Sequence, residues 1–341
     1  MPRFTYEPLG GRVVFGAGAI DRVAGEVRRL GAARALLVAS PSSVRVADRI
    51  AADLGDALVA RWSDVRQHVP APLAEAARAA ARAARADAVV SIGGGSAVGL
   101  AKAIALARDV SIVAVPTTYA GSELTPIWGL TGEHKETGRD VRVLPAVVVY
   151  DPELTLDLPP SVTATSGCNA IAHCVEGLYG PGANPVTTLI AREGLRVLEG
   201  ALPRAVAKPR DLAARTDLLY GAFLAGSVLA VAGTGLHHKL CHVLGGSYGV
   251  DHGAANAVLL PHVVAWNAPV VPELVGRAGA LYDLVVELDA PTSLAGLGVP
   301  ESALPDIAAR AIAETATNPR LLDAAGIVAL LEDAFHGRRP E

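Results

Sequence analysis

Five side chains carry most of the chemistry this chain could do. Asn169 and His173 stand four residues apart in Thr165-Ser166-Gly167-Cys168-Asn169-Ala170-Ile171-Ala172-His173. His238 and His242 repeat that spacing, and His252 follows in a Gly-rich loop, Asp251-His252-Gly253. Residues four apart share one face of a helix, so each pair would set two polar groups side by side on an otherwise apolar segment. Six of the nine histidines fall between 173 and 262. A lone histidine is more often a hydrogen-bonded core or surface residue than a ligand. A set at matched spacing on two helices is a constellation, which could hold a metal, a substrate or only its own members.

A second stretch points to a phosphate. Ala88-Val89-Val90-Ser91-Ile92 reads as a buried strand, and Gly93-Gly94-Gly95-Ser96 follows it directly, ahead of a helix over 97–107. Glycines let backbone N–H groups approach phosphate oxygens, Ser96 adds a hydroxyl, and the helix N-terminus contributes partial positive charge. The G-x-G-x-x-G fingerprint is absent, so a tight ligand-free turn competes with this reading. Thr117 and Thr118 end the next strand, 111–115, on the same edge. Where many NAD sites carry a carboxylate for the ribose 2′-hydroxyl, this chain has Ser40 and Pro41. Nothing there repels a 2′-phosphate, so NADPH is expected to serve beside NADH.

These stretches need a scaffold. Strands are expected at 11–15, 35–39, 57–61, 88–92, 111–115 and 141–150. Helices are expected at 19–31, 42–54, 73–86 and 97–107. Strands alternating with helices through short loops give a doubly wound, mostly parallel sheet. Beyond a Pro- and Leu-rich connection at 151–160, helical periodicity runs to about 335. The expected architecture is an α/β dinucleotide-binding domain over 1–155 and an all-α substrate or catalytic domain over 156–341. With 341 residues the chain exceeds one ordinary core.

Composition narrows the classes. Hydrophobic residues make up 51% and net charge is −4, which argues against disorder and against a nucleic-acid surface. Met1-Pro2-Arg3-Phe4-Thr5-Tyr6 lacks the apolar core of a signal peptide, and no membrane span is expected. Cys168, Cys174 and Cys241 do not make a disulfide framework; a reducing cytoplasmic setting fits them.

The glycine loop, Thr117-Thr118-Tyr119-Ala120-Gly121-Ser122-Glu123, the Asn169/His173 pair and the His238/His242/His252 segment together resemble the iron-containing alcohol dehydrogenase family, in order and over nearly the whole chain. In metal-using members an Asp and three His bind Fe²⁺ or Zn²⁺. The matching positions are Asn169, His173, His238 and His252, with His242 an additional active-site histidine. Asn169 departs from that pattern. A neutral amide binds iron or zinc weakly beside imidazoles, so the departure argues against a tightly held metal.

It also directs the resemblance to the maleylacetate reductase branch. Phe4-Thr5-Tyr6-Glu7-Pro8-Leu9, Arg12-Val13-Val14-Phe15-Gly16, Tyr119 through Gly129 and Gly138-Arg139-Asp140-Val141-Arg142-Val143-Leu144-Pro145 are similar to that branch. Ala146 departs from it, where a basic residue is expected. The resemblance implies a metal-independent homodimer that reduces a dianionic keto acid with NADH or NADPH, in bacterial breakdown of aromatic compounds through hydroxyquinol or chlorocatechols. His242 and His252 would polarise the carbonyl or protonate the enolate carbon. His173 and His238 would orient a substrate carboxylate, and Asn169 would donate an amide hydrogen bond.

Lys135, Arg139 and Arg142, in the loop before the last strand of the first domain, are candidate partners for the substrate charge and equally readable as surface charge; Lys239, one step off the His238/His242 face, reads more readily as a solvated helix residue. His237 is expected to be structural, His262 to start a helix or touch the other domain, and Glu176 to support a histidine or hold the fold. Three other readings compete: a metal-dependent alcohol or polyol dehydrogenase of the same fold, a dehydroquinate-synthase-like lyase, and a non-catalytic nucleotide-binding protein. The lyase would need a basic phosphate pocket in the helical domain, where no Lys/Arg cluster stands; the non-catalytic protein would leave the histidines unexplained.

Overall fold

The computed structural model describes residues 4–9, 11–132 and 135–341. Met1-Pro2-Arg3 and the side chain of Lys135 lie outside the described residues. Leu9–Leu158 form one compact unit; Pro159–Glu341, with residues up to Pro8, form the other.

The first unit alternates strand and helix. Its elements are β1 (Arg12–Phe15), α1 (Val23–Arg29), β2 (Ala35–Ala39), α2 (Val44–Leu54), β3 (Leu58–Trp62), α3 (Ala71–Ala83), β4 (Ala88–Gly93), α4 (Gly95–Ala107) and β5 (Ser111–Pro116). An antiparallel hairpin follows, β6 (Ile127–Thr131) and β7 (Lys135–Arg139), and then β8 (Val147–Tyr150). The main sheet runs β1-β8-β5-β4-β2-β3, and all its pairs are parallel.

Every residue of β2, β4 and β8 is buried, which explains their apolar sequences, interrupted in β4 by the buried Ser91: both faces of the sheet are covered. The pleat divides β4 between two cores. Ala88, Val90 and Ile92 face the core that α1 and α2 close, whereas Val89 faces the one that α3 and α4 close. Leu36 and Leu37 split the same way, and each fully buried leucine contributes roughly 2 kcal/mol.

Two expectations fail in this unit. The strand expected over 141–150 is only Val147–Tyr150. Its first part is a 3-10 turn, Val141–Val143, because the Asp140 carboxylate accepts the Arg142 backbone N–H at 2.9 Å and caps the turn. Arg139 lies on β7 rather than in a loop. The hairpin closes because Gly138 leaves room for a ring: a Cβ there would stand 2.6 Å from Trp128.

The second unit comprises α5 (Pro160–Gly177), α6 (Pro185–Ala207), α7 (Leu212–Ala232), α8 (Leu236–Tyr248), α9 (His252–Asn267), α10 (Arg277–Glu287), α11 (Leu304–Glu314) and α12 (Ala324–His336). Among the described residues every strand lies in the first unit. α5, α6 and α7 approach closely through glycine: a Cβ on Gly177 would stand 1.9 Å from Val228 Cγ1. By length and mean hydropathy α7 would suffice to cross a membrane, but 67% of its apolar window is buried inside the unit. It is a core helix, packed on α5 and α6.

Two further placements correct the sequence reading. His252 is the first residue of α9, not part of a loop, because Asp251 caps that helix by accepting the Ala254 N–H at 2.9 Å. His262 lies inside α9 rather than at a helix start, immediately after an internal Pro261. It is buried, which pushes its imidazole down to about 4.

Candidate functional site

In the α/β unit the ends of β2, β4 and β5 converge. Gly93 ends β4 with φ +142°, a conformation that suits glycine, and a Cβ there would meet Ser40 Oγ at 2.8 Å. The Gly93 carbonyl accepts the Thr117 N–H at 3.0 Å. A Cβ on Gly94 would stand 3.0 Å from Thr118 Oγ1. The structure thus brings Ser40, the glycine run, Thr117 and Thr118 together on one sheet edge.

The helix starts earlier than expected. Gly94 is the N-cap of α4, so Gly95 and Ser96 form its first turn, and no side chain caps it. Free N–H groups at a helix start suit a phosphate, so these residues fit a nucleotide's pyrophosphate. Ser40 leads through Pro41 into a 3-10 turn ahead of α2, and its hydroxyl lies 2.8 Å from Ser43 Oγ and 3.2 Å from Ser42 Oγ. This corner is built of hydroxyls.

Beneath this edge is a feature that the sequence reading missed. Lys102 on α4 is fully buried. Its ammonium donates to Ser122 O and Ile127 O, each at 2.7 Å, to Thr125 Oγ1 at 3.1 Å and to Ser122 Oγ at 3.2 Å. Burial pushes it down to about 7, and the Glu123 charge acts the other way. Glu123 Oε1 accepts the Tyr150 hydroxyl at 2.7 Å. Lys102 therefore pins the segment after Thr117-Thr118 to the helix that begins in the glycine loop. Lys102 stands midway along the helix and reads as an ordinary solvated helix residue, and only the burial reveals the role.

In the helical unit, α5, α8 and α9 bring the polar set together. Asn169, His173 and His238 are almost fully buried, whereas His242 and His252 are partly exposed. His173 and His238 stack at 4.3 Å between ring centroids with 10° between planes. His238 lies 6.4 Å from His242 and 6.1 Å from His252, and those two rings are 5.9 Å apart. Lys239 is a partly exposed residue of α8.

Glu176, on α5 near His173, organises the group. Its Oε2 lies 2.7 Å from His238 Nδ1, and its Oε1 accepts the His237 backbone N–H at 2.8 Å. His237 lies in the first turn of α8, so a side chain of another helix caps it. Burial pushes the Glu176 carboxyl up, while His237 and the backbone N–H groups at the start of α8 act the other way. Burial, with His237, His252 and Lys239 nearby, holds the His238 imidazole well below its ordinary value, so the ring is neutral.

His237 has a defined partner: its Nε2 lies 2.7 Å from Asn256 Oδ1, and Asn256 donates to the His252 carbonyl at 2.7 Å. The signal was available, because His252 and Asn256 repeat the four-residue spacing. All three cysteines are buried free thiols, and burial raises Cys168 to about 12 and Cys174 further. Neither is a nucleophile.

The arrangement is not a coordination shell. Imidazole binds a cation in its ring plane, through a nitrogen lone pair about 2.1 Å from the metal. The His173 and His238 rings are stacked with near-parallel planes, so one ion cannot lie in both ring planes. Asn169 brings no negative charge. Among the described residues no three His, Cys, Asp or Glu side chains are grouped to hold a metal ion. The site suits hydrogen bonding to an organic ligand and stabilisation of charge on its oxygen atoms.

Comparison with known proteins finds relatives along the whole chain. Residues 10–152 match the iron-containing alcohol dehydrogenase family model, and residues 163–335 match its C-terminal counterpart, the Fe-containing alcohol dehydrogenase family, C-terminal. The maleylacetate reductase of Sphingobium indicum is 49% identical, over 99% of both chains. The crystal structures of maleylacetate reductase from Agrobacterium tumefaciens and from Rhizobium sp. strain MTP-10005 are 45% and 46% identical, with TM-scores of 0.95 and 0.94, and each comparison covers 100% of both chains. With the glycine loop in one unit, the histidine group in the other and likeness along the whole length, the chain belongs to the iron-containing alcohol dehydrogenase family.

Proposed function

We propose that the protein reduces the C=C bond of maleylacetate, giving 3-oxoadipate, with NADH or NADPH and without a bound metal, in the breakdown of aromatic compounds. The observation that carries this reading is full-length likeness to maleylacetate reductases combined with an amide, Asn169, inside the histidine group. The nucleotide supplies the hydride. Gly93, Gly94, Gly95 and Ser96 would hold its pyrophosphate at the start of α4, with Thr117 and Thr118 beside it and Ser40-Pro41 at the ribose.

Hydride addition to the alkene carbon β to the ketone places negative charge on the ketone oxygen. Imidazole N–H donors can stabilise that enolate. His242 and His252 are the partly exposed members, so they can exchange protons with water; we assign to them polarisation of the carbonyl and protonation of the enolate carbon. His173 and Asn169 would orient the substrate.

NADH oxidation with freshly made maleylacetate tests this directly. Turnover is expected; its absence, beside turnover of a simple aldehyde or polyol, would assign the chain to another activity of the family. Ser40→Asp should favour NADH over NADPH by about tenfold or more, because a carboxylate repels the 2′-phosphate; an unchanged ratio would move the ribose site elsewhere.

Metal independence rests on Asn169 and on the His173/His238 stack. Stoichiometric iron or zinc in protein purified without chelator, with activity lost to EDTA, would overturn it. Asn169→Asp restores an anionic donor and should produce detectable divalent-ion binding by calorimetry. We further expect a cytoplasmic homodimer; a monomer in sedimentation would remove the second part.

A further inference from the structure

We propose that Glu176 is a positioning residue that fixes His238 as the tautomer protonated on Nδ1, so that Nε2 accepts a hydrogen bond from the side-chain amide of Asn169. Only the catalytic consequence of this inference rests on the maleylacetate reading; the tautomer does not.

An ionised carboxylate only accepts hydrogen bonds. Glu176 Oε1 accepts the His237 backbone N–H at 2.8 Å, and Oε2 faces His238 Nδ1 at 2.7 Å, so the ring atom there is an N–H. Burial raises the Glu176 carboxyl, and a protonated Glu176 would donate to Nδ1 instead; the helix start that it caps opposes this. The fully buried Glu176 also sits at the positive end of α8, which favours its ionised form.

His238 is buried and stacked on the His173 ring, surroundings that favour a neutral imidazole, so with a proton on Nδ1 its Nε2 carries a lone pair. The Asn169 amide stands beside it, with Oδ1 placed 3.4 Å from Nε2. The oxygen and nitrogen of an amide are assigned from their hydrogen bonds. The orientation that satisfies a lone pair turns Nδ2 toward His238. The three side chains then form a relay of set polarity: Glu176 accepts from His238, and His238 accepts from Asn169.

Two consequences follow. His238 cannot bind a substrate carboxylate through Nε2, nor supply a proton from it, contrary to the role expected from the sequence. Anion binding and proton donation fall to His173, His242 and His252. The amide at 169 also matches the tautomer. An aspartate there would set a carboxylate against a lone pair, and only a proton or a cation between them would relieve the contact. Asn169 completes the site without one.

The test is nitrogen NMR of ¹⁵N-histidine-labelled protein at neutral pH, without substrate, with the His238 signals identified by their loss in His238→Asn. The wild-type ring should show a protonated Nδ1 and an unprotonated Nε2. In Glu176→Gln the amide oxygen stays with the α8 N–H groups and the amide nitrogen turns to the ring. The pattern should then invert, and kcat/KM for maleylacetate should fall by about 10- to 100-fold, with NADH affinity unchanged.

A wild-type His238 protonated on Nε2 overturns the proposal, and this reading needs no variant to fold. An inverted tautomer with unchanged kcat/KM overturns the positioning role. A ring as stated, in a protein that never turns over maleylacetate, overturns the proposed function alone.

Discussion

Two fully buried charged groups organise this molecule, and they are used in opposite ways. In the α/β unit Lys102 is enclosed by the carbonyls of Ser122 and Ile127 and the hydroxyls of Ser122 and Thr125, all within 3.2 Å. Every donor is spent on the chain itself, which fastens the segment beyond Thr117-Thr118 to α4. In the helical unit Glu176 caps α8 with one part of its acceptor capacity and orients the His238 ring with the rest. One charge closes a cage; the other passes its polarity to a side chain beside Asn169. A buried charge must be satisfied in either case. What distinguishes a structural group from a functional one is whether its last partner is backbone or another reactive side chain.

Substitutions can separate these uses. The largest effect should come from Lys102→Met, which leaves the Ser122 and Ile127 carbonyls without their donor and removes the cation near Glu123. The expected loss is ~3 kcal/mol of stability by urea denaturation. Glu176→Gln, which keeps the helix cap, should cost about 1 kcal/mol while impairing turnover far more. Equal stability losses in the two variants would erase the contrast.

Tyr150→Phe removes the hydroxyl that donates to Glu123 Oε1. A loss of about 2 kcal/mol is expected, because a buried acceptor goes unpaired; the NMR signature of His238 should not change.

The helical unit should be the more acid-sensitive. His262 titrates at about 4 when folded and near its ordinary value when unfolded. Between those values the unfolded chain binds the extra proton, so stability is full above about 6.5 and falls as pH drops toward 4, at up to ~1.4 kcal/mol per pH unit. His262→Gln should flatten that limb of a denaturation–pH profile. At the bottom of the scale, Arg196→Ala breaks an exposed ion pair with Glu193, and its denaturation midpoint should coincide with wild type.

Much of this was legible in the amino-acid order. The mainly apolar runs at 35–39, 88–92 and 111–115 announced parallel strands, because a sheet covered on both faces needs no polar alternation. The four-residue spacings of Asn169/His173 and His238/His242 placed those groups on helices. The hairpin β6–β7 was hidden, since Gly138 and the charges around it look like loop; the space it leaves for Trp128 is a tertiary fact. The strand shortened to Val147–Tyr150 was misjudged because a single Asp140 cap outweighed the apolar pattern.

By itself the sequence determined the alternation of parallel strands and helices in the first unit, the glycine turn at the start of α4 and the presence of an amide, Asn169, among the histidines. These depend on local periodicity and residue type. Only the tertiary structure decided that Lys102 is caged, that His173 and His238 stack instead of converging and that Glu176 reaches Nδ1 of a residue 62 positions away. Those are contacts between separate elements. Their energies depend on burial and direction, and neither is written in the spacing of one segment.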